Sequence, residues 1–76
     1  MAGKTNVPHE IRDLWTDAYV LFDSHYMMED TQDNWEGLAK DFALLYIKHH
    51  ENARFADFYD ILCRMIVDRM EVQKNG

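Results

Sequence analysis

Apolar residues recur at three- and four-residue spacing in three stretches of the chain, which is the pattern of amphipathic helices. The first stretch predicts a helix over residues 8–26, with Pro8 in its first turn. Its apolar side consists of Ile11, Leu14, Trp15, Ala18, Phe22 and His25, with Leu21 at the edge. The side assigned to solvent carries Glu10, Asp13, Asp17 and Ser24. This segment is therefore predicted to bury one stripe beneath an acidic outer ridge.

A second helix is predicted over residues 34–50, after a polar connection that spans 27–32. Asp33 and Glu36 have the spacing of a capping box, and Thr31 is the alternative cap. The predicted buried side consists of Trp35, Leu38, Ala39, Phe42, Leu45, Tyr46 and His49. This stripe indicates a helix that packs against a shared interior.

The third helix is predicted over 53–73, with Asn52 as its cap. Its apolar side consists of Phe55, Phe58, Tyr59, Leu62, Met65, Ile66 and Met70. The connection before it has only three or four residues, which requires an antiparallel neighbour. No segment alternates persistently as a strand does. The sequence predicts an all-α, up-down-up three-helix bundle in a single domain, 1–76, with 1–6 and 74–76 disordered.

The composition points to one small globular domain, since 47% of the 76 residues are hydrophobic. A domain of this size usually needs a disulfide, a metal or a partner subunit for stability. Cys63 is the single cysteine, so no intramolecular disulfide forms and a reducing cytoplasm fits best. The four histidines are scattered, so the pattern predicts neither a metal site nor a cofactor. Self-association remains as the stabilising option, and monomer and homodimer both stay open.

Charge and hydropathy disfavour two classes of partner. Phe42 to Ile47 is the longest apolar run, far shorter than the roughly 20 residues that cross a bilayer, and no secretory signal precedes it. Fourteen acidic residues against eight basic ones give a net charge of −6, which repels nucleic acid and anionic lipid. The outward side of the third helix is itself net acidic and consists of Asp57, Asp60, Arg64, Val67, Asp68 and Glu71.

The residues that could carry catalysis have simpler explanations. His49 and His50 are adjacent, so their side chains diverge on a helix and suit its C-terminal end. Cys63 has Asp60 one turn away, and a carboxylate disfavours the thiolate that nucleophilic attack requires. His25 is predicted on the core side of the first helix. We expect no enzyme, and only His25 buried against a carboxylate in a cleft would favour one.

Exposed apolar residues are the remaining signal. Those that lie off the predicted stripes or flank them form a candidate interaction surface: Tyr19, Val20, Tyr26, Met27, Met28, Leu44, Ile47, Ile61 and Val67. Scattered apolar residues on a surface are ordinary, and that explanation has equal weight. If several converge, aromatic residues and methionines are what a protein interface favours.

The order of certain core positions supplies a resemblance. It consists of Leu14-Trp15 with Ala18-Tyr19 and Phe22, then Trp35 with Leu38-Ala39 and Asp41-Phe42, then Asp60-Ile61-Leu62 before a charged tail. This succession resembles short helical proteins encoded by bacterial prophages and conjugative elements. The resemblance implies a bacterial, cytoplasmic accessory protein that acts by binding another protein. The alternative is a small modulator of transcription or DNA metabolism that binds or mimics nucleic acid.

Overall fold

The computed structural model describes residues 6–75, which form three α-helices joined by two short connections. Helix α1 spans His9–His25, α2 spans Gln32–Lys48 and α3 spans Ala53–Asn75. Every pair of helices is in contact, and the described residues include no strand. The predicted all-α three-helix bundle is confirmed.

The start of α2 differs from the prediction. The helix begins two residues earlier, because Thr31 is its N-cap and the Thr31 hydroxyl accepts the backbone N–H of Asn34 at 3.2 Å. The side-chain amide of Asn34 donates to the carbonyl oxygen of Glu29 at 2.9 Å, which fixes the connection just before the cap. The helix therefore does not use the capping box predicted from Asp33 and Glu36. Two candidate caps two residues apart both satisfied the local pattern, and the alternative one is correct.

The second connection turns through two left-handed residues. His50 has φ 60° and Glu51 has φ 55°, and the N–H of Glu51 donates to the carbonyl oxygen of Tyr46 at 2.8 Å. This bond closes the end of α2 at Lys48, two residues before its predicted end at His50. The predicted cap of α3 is confirmed, since the Asn52 side-chain oxygen accepts an N–H of the first turn at 2.8 Å.

Glycine at this turn is expected to stabilise the chain. A side chain with a left-handed backbone is strained, so His50→Gly should raise the free energy of unfolding by about 0.5–1 kcal/mol. Urea denaturation followed by circular dichroism measures the change. As a matched control, Lys40→Gly at an exposed position inside α2 should lower the same free energy by about 1 kcal/mol. A loss in both variants would mean that the left-handed turn does not form.

Helix α3 continues to Asn75, so the disorder expected over 74–76 is replaced by helix at its first two positions. The disorder expected at 1–5 and 76 lies outside the described residues. With 23 residues against 17 in each of the other helices, α3 has last turns that extend past the end of α1.

The core is small and the molecule is flat. Its principal extents are 45 × 29 × 17 Å, and its radius of gyration is 14.4 Å. A domain of this length typically has a radius of gyration of about 11 Å. The buried apolar side chains among the described residues are Leu14, Ala18, Leu21, Leu38, Phe55, Leu62 and Ile66. Around them, the Phe42 ring stacks 4.0 Å from Tyr59 and joins α2 to α3. A flat bundle leaves the flanks of its helices open to solvent.

Four residues predicted to lie in the core are exposed: Ile11, Trp15, Ala39 and Met65. Conversely, Leu21, placed at the edge of the first stripe, is buried. The buried side of α1 is rotated by roughly 40° from the predicted one, toward α2. Asp17 explains the rotation, because its carboxylate, predicted on the outer ridge, bonds to the end of α2 instead. The α3-facing flank of α1 is thereby turned outward.

Candidate protein-interaction face

Large apolar side chains are exposed together on one side of the bundle, where α1 lies beside α3. We refer to this surface as the α1–α3 face, and it is formed by Ile11, Trp15, Tyr19, Ile61, Met65 and Val72. Their exposed fractions lie between 41% and 70%. Half-buried aromatic rings fill the seam between the two helices, and Phe58 lies 4.5 Å from the ring of Trp15.

The register of the two helices makes this surface continuous. Trp15 contacts Phe58, and the Arg69 guanidinium lies 5.7 Å from the Tyr26 ring. Both pairs are 43 residues apart in sequence, so α1 and α3 run parallel with constant register. Tyr19 is therefore level with the turn of α3 that carries Ile61. Five of the six side chains lie along the paired length of the two helices, and Val72 lines a groove with Tyr26 and Met65 just past the end of α1.

The size of the patch distinguishes it from an ordinary surface. Six large side chains with these exposures present on the order of 700 Å² of apolar area. The largest apolar patch on a typical monomer is about 300–600 Å², and each partner in a stable complex buries about 800 Å². Trp15 and Tyr19 are also the residue types that dominate binding energy at interfaces.

Charged residues flank the face in an ordered way. Arg12, Tyr19 and Asp23 share one flank of α1, because their spacings of seven and four residues are close to whole turns. Arg54, Ile61 and Asp68 follow at intervals of seven on α3. Because the helices are parallel, both arginines lie at one end of the face and both aspartates at the other. All four charged side chains are exposed.

The sequence identified part of this face. Tyr19 and Ile61 are among the predicted interaction residues, and Tyr26 is half-buried at the seam, with its ring 4.9 Å from Phe22. Four members were not predicted to interact: Ile11, Trp15, Met65 and Val72. The width of the apolar arc on α1, which is broader than one neighbouring helix covers, is the signal that indicates Ile11 and Trp15.

The other predicted interaction residues lie elsewhere: Val20, Leu44, Ile47, Met27, Met28 and Val67. Val20 and Leu44 line a shallow groove between α1 and α2. Met27 and Val67 line a cleft between the first connection and the end of α3, while Met28 is half-buried against the core. The structure thus divides the predicted surface among separate places and does not bring all nine residues together.

Polar bridges join α1 to α2 on the opposite side of α1. The Asp17 carboxylate accepts hydrogen bonds from Lys48 Nζ at 2.8 Å and from His49 Nε2 at 2.7 Å. Partial burial raises the pKa of Asp17, but these two hydrogen bonds and the attached charges outweigh burial and lower that pKa overall. Nearer the other end, His25 Nε2 lies 2.9 Å from Asp41 Oδ2. Both carboxylate–histidine pairs hold the two helices in register.

The His25–Asp41 pair is the arrangement that would favour an enzyme. The His25 side chain is largely buried, but the Asp41 side chain is 54% exposed and the groove beside them is shallow. Ser24 is the one hydroxyl among the residues that line this groove. It directly precedes His25, so the two side chains diverge on the helix. The geometry therefore supports a structural link and does not assemble a nucleophile with a base.

Cys63 is half-buried on α3. Burial raises the pKa of its thiol and the charge of Asp60 adds to the shift, although a hydrogen bond with Tyr59 acts the other way. The neutral thiol is thereby favoured, in the direction expected from Asp60. Within residues 6–75, no group of three histidine, cysteine or carboxylate side chains is placed to hold a metal ion.

No protein-family model, curated protein or solved structure matches this chain. In the part of the chain that the structure describes, none of the helices combines the length and the apolar character that a membrane span requires.

Proposed function

We propose that this chain is a small protein-interaction module that binds another protein chain through the α1–α3 face. The observation that carries this proposal is the continuous exposure of six large apolar side chains. Trp15 and Tyr19 are 60% and 64% exposed, respectively, although aromatic residues are the most favourable to bury. A partner that covers the face would remove both rings from water.

The energy available is sufficient for association. Burying on the order of 700 Å² of apolar surface contributes about 17 kcal/mol per chain at 25 cal/mol/Å². Association costs an estimated 4–15 kcal/mol in lost translational and rotational freedom, and ordering of side chains adds to that cost. The gross gain exceeds the main cost.

The setting that we propose is a bacterial, cytoplasmic accessory protein of a prophage or conjugative element. Support comes from the order of core positions described above and from the single cysteine. The alternative is a module that binds or mimics nucleic acid. Mimicry would rest on acidic charge alone, and binding has weaker support. The outward side of α3 is net acidic, and its Arg64 is already paired with Asp60 at 3.2 Å.

Photo-cross-linking in cells that express the chain tests this function. A benzophenone amino acid placed at Tyr19 or at Ile61 should form a covalent adduct with another protein chain, because both positions lie on the proposed interface. The same amino acid at Lys40, exposed on α2, is the matched control and should form none. Mass spectrometry then identifies the chain in each adduct. Adducts at neither face position, or equal adducts at all three positions, would contradict the proposal.

A further inference from the structure

We propose that the α1–α3 face binds a second copy of this chain, antiparallel to the first, across a two-fold axis at the level of Ile61. The inference rests on the proposed function and adds the identity of the partner. In such a dimer the same surface of each copy forms the interface. The groups on one side of the axis must therefore be complementary to those on the other side.

Two opposite charges on α3 lie symmetrically about Ile61. Arg54 precedes Ile61 by seven residues and Asp68 follows it by seven, and both side chains are exposed. Arg64, between them, is paired with Asp60 of its own chain. A second α3 laid antiparallel, with Ile61 against Ile61, places Arg54 beside the other copy's Asp68. Arg54 and Asp68 of one copy therefore each meet the opposite charge on the other.

The charges of α1 have the same centre. The midpoint between Arg12 and Asp23 falls between Asp17 and Ala18. The 43-residue register of the two helices places that midpoint level with Ile61 on α3. One two-fold axis therefore fits the charges of both helices. It brings Arg12 of each copy toward the end of the other copy's face that carries the aspartates. Two independent helices with a common centre are what an isologous interface requires.

Other arrangements of two copies are less favourable. If the two faces packed parallel, the arginines Arg12 and Arg54 of one copy would lie against the same two arginines of the other. Asp23 and Asp68 would likewise lie against the same two aspartates. Like charges placed in contact are repulsive and select against a wrong orientation. The net charge of −6 opposes association at long range, but salt screens it beyond about 8 Å at physiological ionic strength. The contacts at the face therefore decide the orientation.

The area of the face also fits a dimer. Two copies would together bury somewhat less than the roughly 1,400 Å² of apolar surface that their faces present, because Val72 lies level with residue 50 of the other copy, before the start of its α3. The area is still near the 1,200–2,000 Å² of a standard interface. Ile61 and Met65 lie near the proposed axis, and Trp15 and Tyr19 flank them on α1. The flat bundle, 17 Å thick, would gain a second layer. A core of seven buried residues would then be extended across the dimer.

Disulfide trapping tests the position of the axis. In the full chain with Cys63→Ala, Ile61→Cys is expected to form a disulfide between two copies under a mild oxidant, because residues at a two-fold axis lie within bridging distance. Val20→Cys in the same background is the control on another side of the bundle and should form no disulfide between copies. Separate chains with Arg54→Cys and Asp68→Cys should cross-link when mixed far more than either does alone. Cross-linking of each alone, without the mixed product, would overturn the antiparallel arrangement.

Charge reversal tests the pairing in solution. Arg54→Glu should weaken the dimer roughly tenfold in sedimentation equilibrium at 0.15 M salt, because each dimer loses two attractive pairs. Asp68→Arg should weaken it similarly, and the double variant should restore affinity to within about threefold. A double variant as weak as the single ones would contradict the pairing of Arg54 with Asp68.

The outcomes separate this inference from the proposed function. A mass of one chain at every concentration up to about 1 mM, together with an adduct at Tyr19 that contains a different protein, would overturn the dimer and support the function. A dimer in both disulfide trapping and sedimentation equilibrium, together with adducts of twice the chain mass, supports both the dimer and the proposed function. A monomer with no adduct at either face position would overturn both.

Discussion

Replacing Phe55 by alanine is expected to lower the free energy of unfolding by about 3–5 kcal/mol. The Phe55 side chain is 1% exposed, and its ring lies 5.7 Å from Phe42 and 5.2 Å from His49. A domain of 76 residues has roughly 4–11 kcal/mol of stability in total, so this single cavity removes a large part of it. Trp15→Ala removes a larger ring from the α1–α3 face and should cost the monomer about 1 kcal/mol or less.

The two variants form a matched pair, because the sequence assigns both aromatic residues to the core and the structure buries one of them. Urea denaturation followed by circular dichroism measures each change. Trp35 remains in both chains as a second, fluorescent probe. A dimer adds to apparent stability, so the measurement is repeated over a hundredfold range of concentration and compared at the lowest. Equal losses in the two variants would show that Trp15 belongs to the core and that the face is not exposed.

The contrast between these residues shows how far the sequence determines the fold. Helical periodicity and a short second connection are local properties, and they predict three helices in up-down-up order. The stripes include Leu14, Leu38 and Ile66, all of which are buried. Periodicity gives the width of an apolar arc but not which part of it is covered. Trp15 and Leu21 bracket the arc of α1, and the position of α2 decides between them.

The candidate site was predictable only in part, for the same reason. Tyr19 and Ile61 lie off their stripes and are predicted to be exposed. Trp15 and Met65 lie on their stripes and are predicted to be in the core, because apolar residues on a stripe usually are buried. Their exposure follows from the rotation of α1 and from the flatness of the bundle, which are tertiary properties. Asp17 is predicted to face solvent because carboxylates usually are exposed. The pattern within one helix holds no information on Lys48, its partner 31 residues away.

Replacing Asp17 by asparagine is expected to lower the free energy of unfolding by about 1–3 kcal/mol at neutral pH. One carboxylate oxygen accepts hydrogen bonds from both Lys48 and His49, and the neutral amide loses the charge that strengthens them. The His49 side chain is only 9% exposed, so water compensates poorly for a weakened bond. Asp13→Asn is the matched control on α1, since Asp13 is more exposed and pairs with His9 within the same helix. It should change stability little.

The pH dependence distinguishes the charge of Asp17 from its size. The folded state lowers the pKa of this carboxyl below its ordinary value of 3.8, so the charged form stabilises the fold above that value. As the pH falls through the lowered pKa, the carboxyl is protonated and the contribution is lost. The difference in stability between the unmodified chain and Asp17→Asn should therefore shrink as the pH falls below about 4. Denaturant titrations from pH 7 to pH 2 measure it. A difference that persists at pH 2 would mean that the shape of the side chain, rather than its charge, joins α1 to α2.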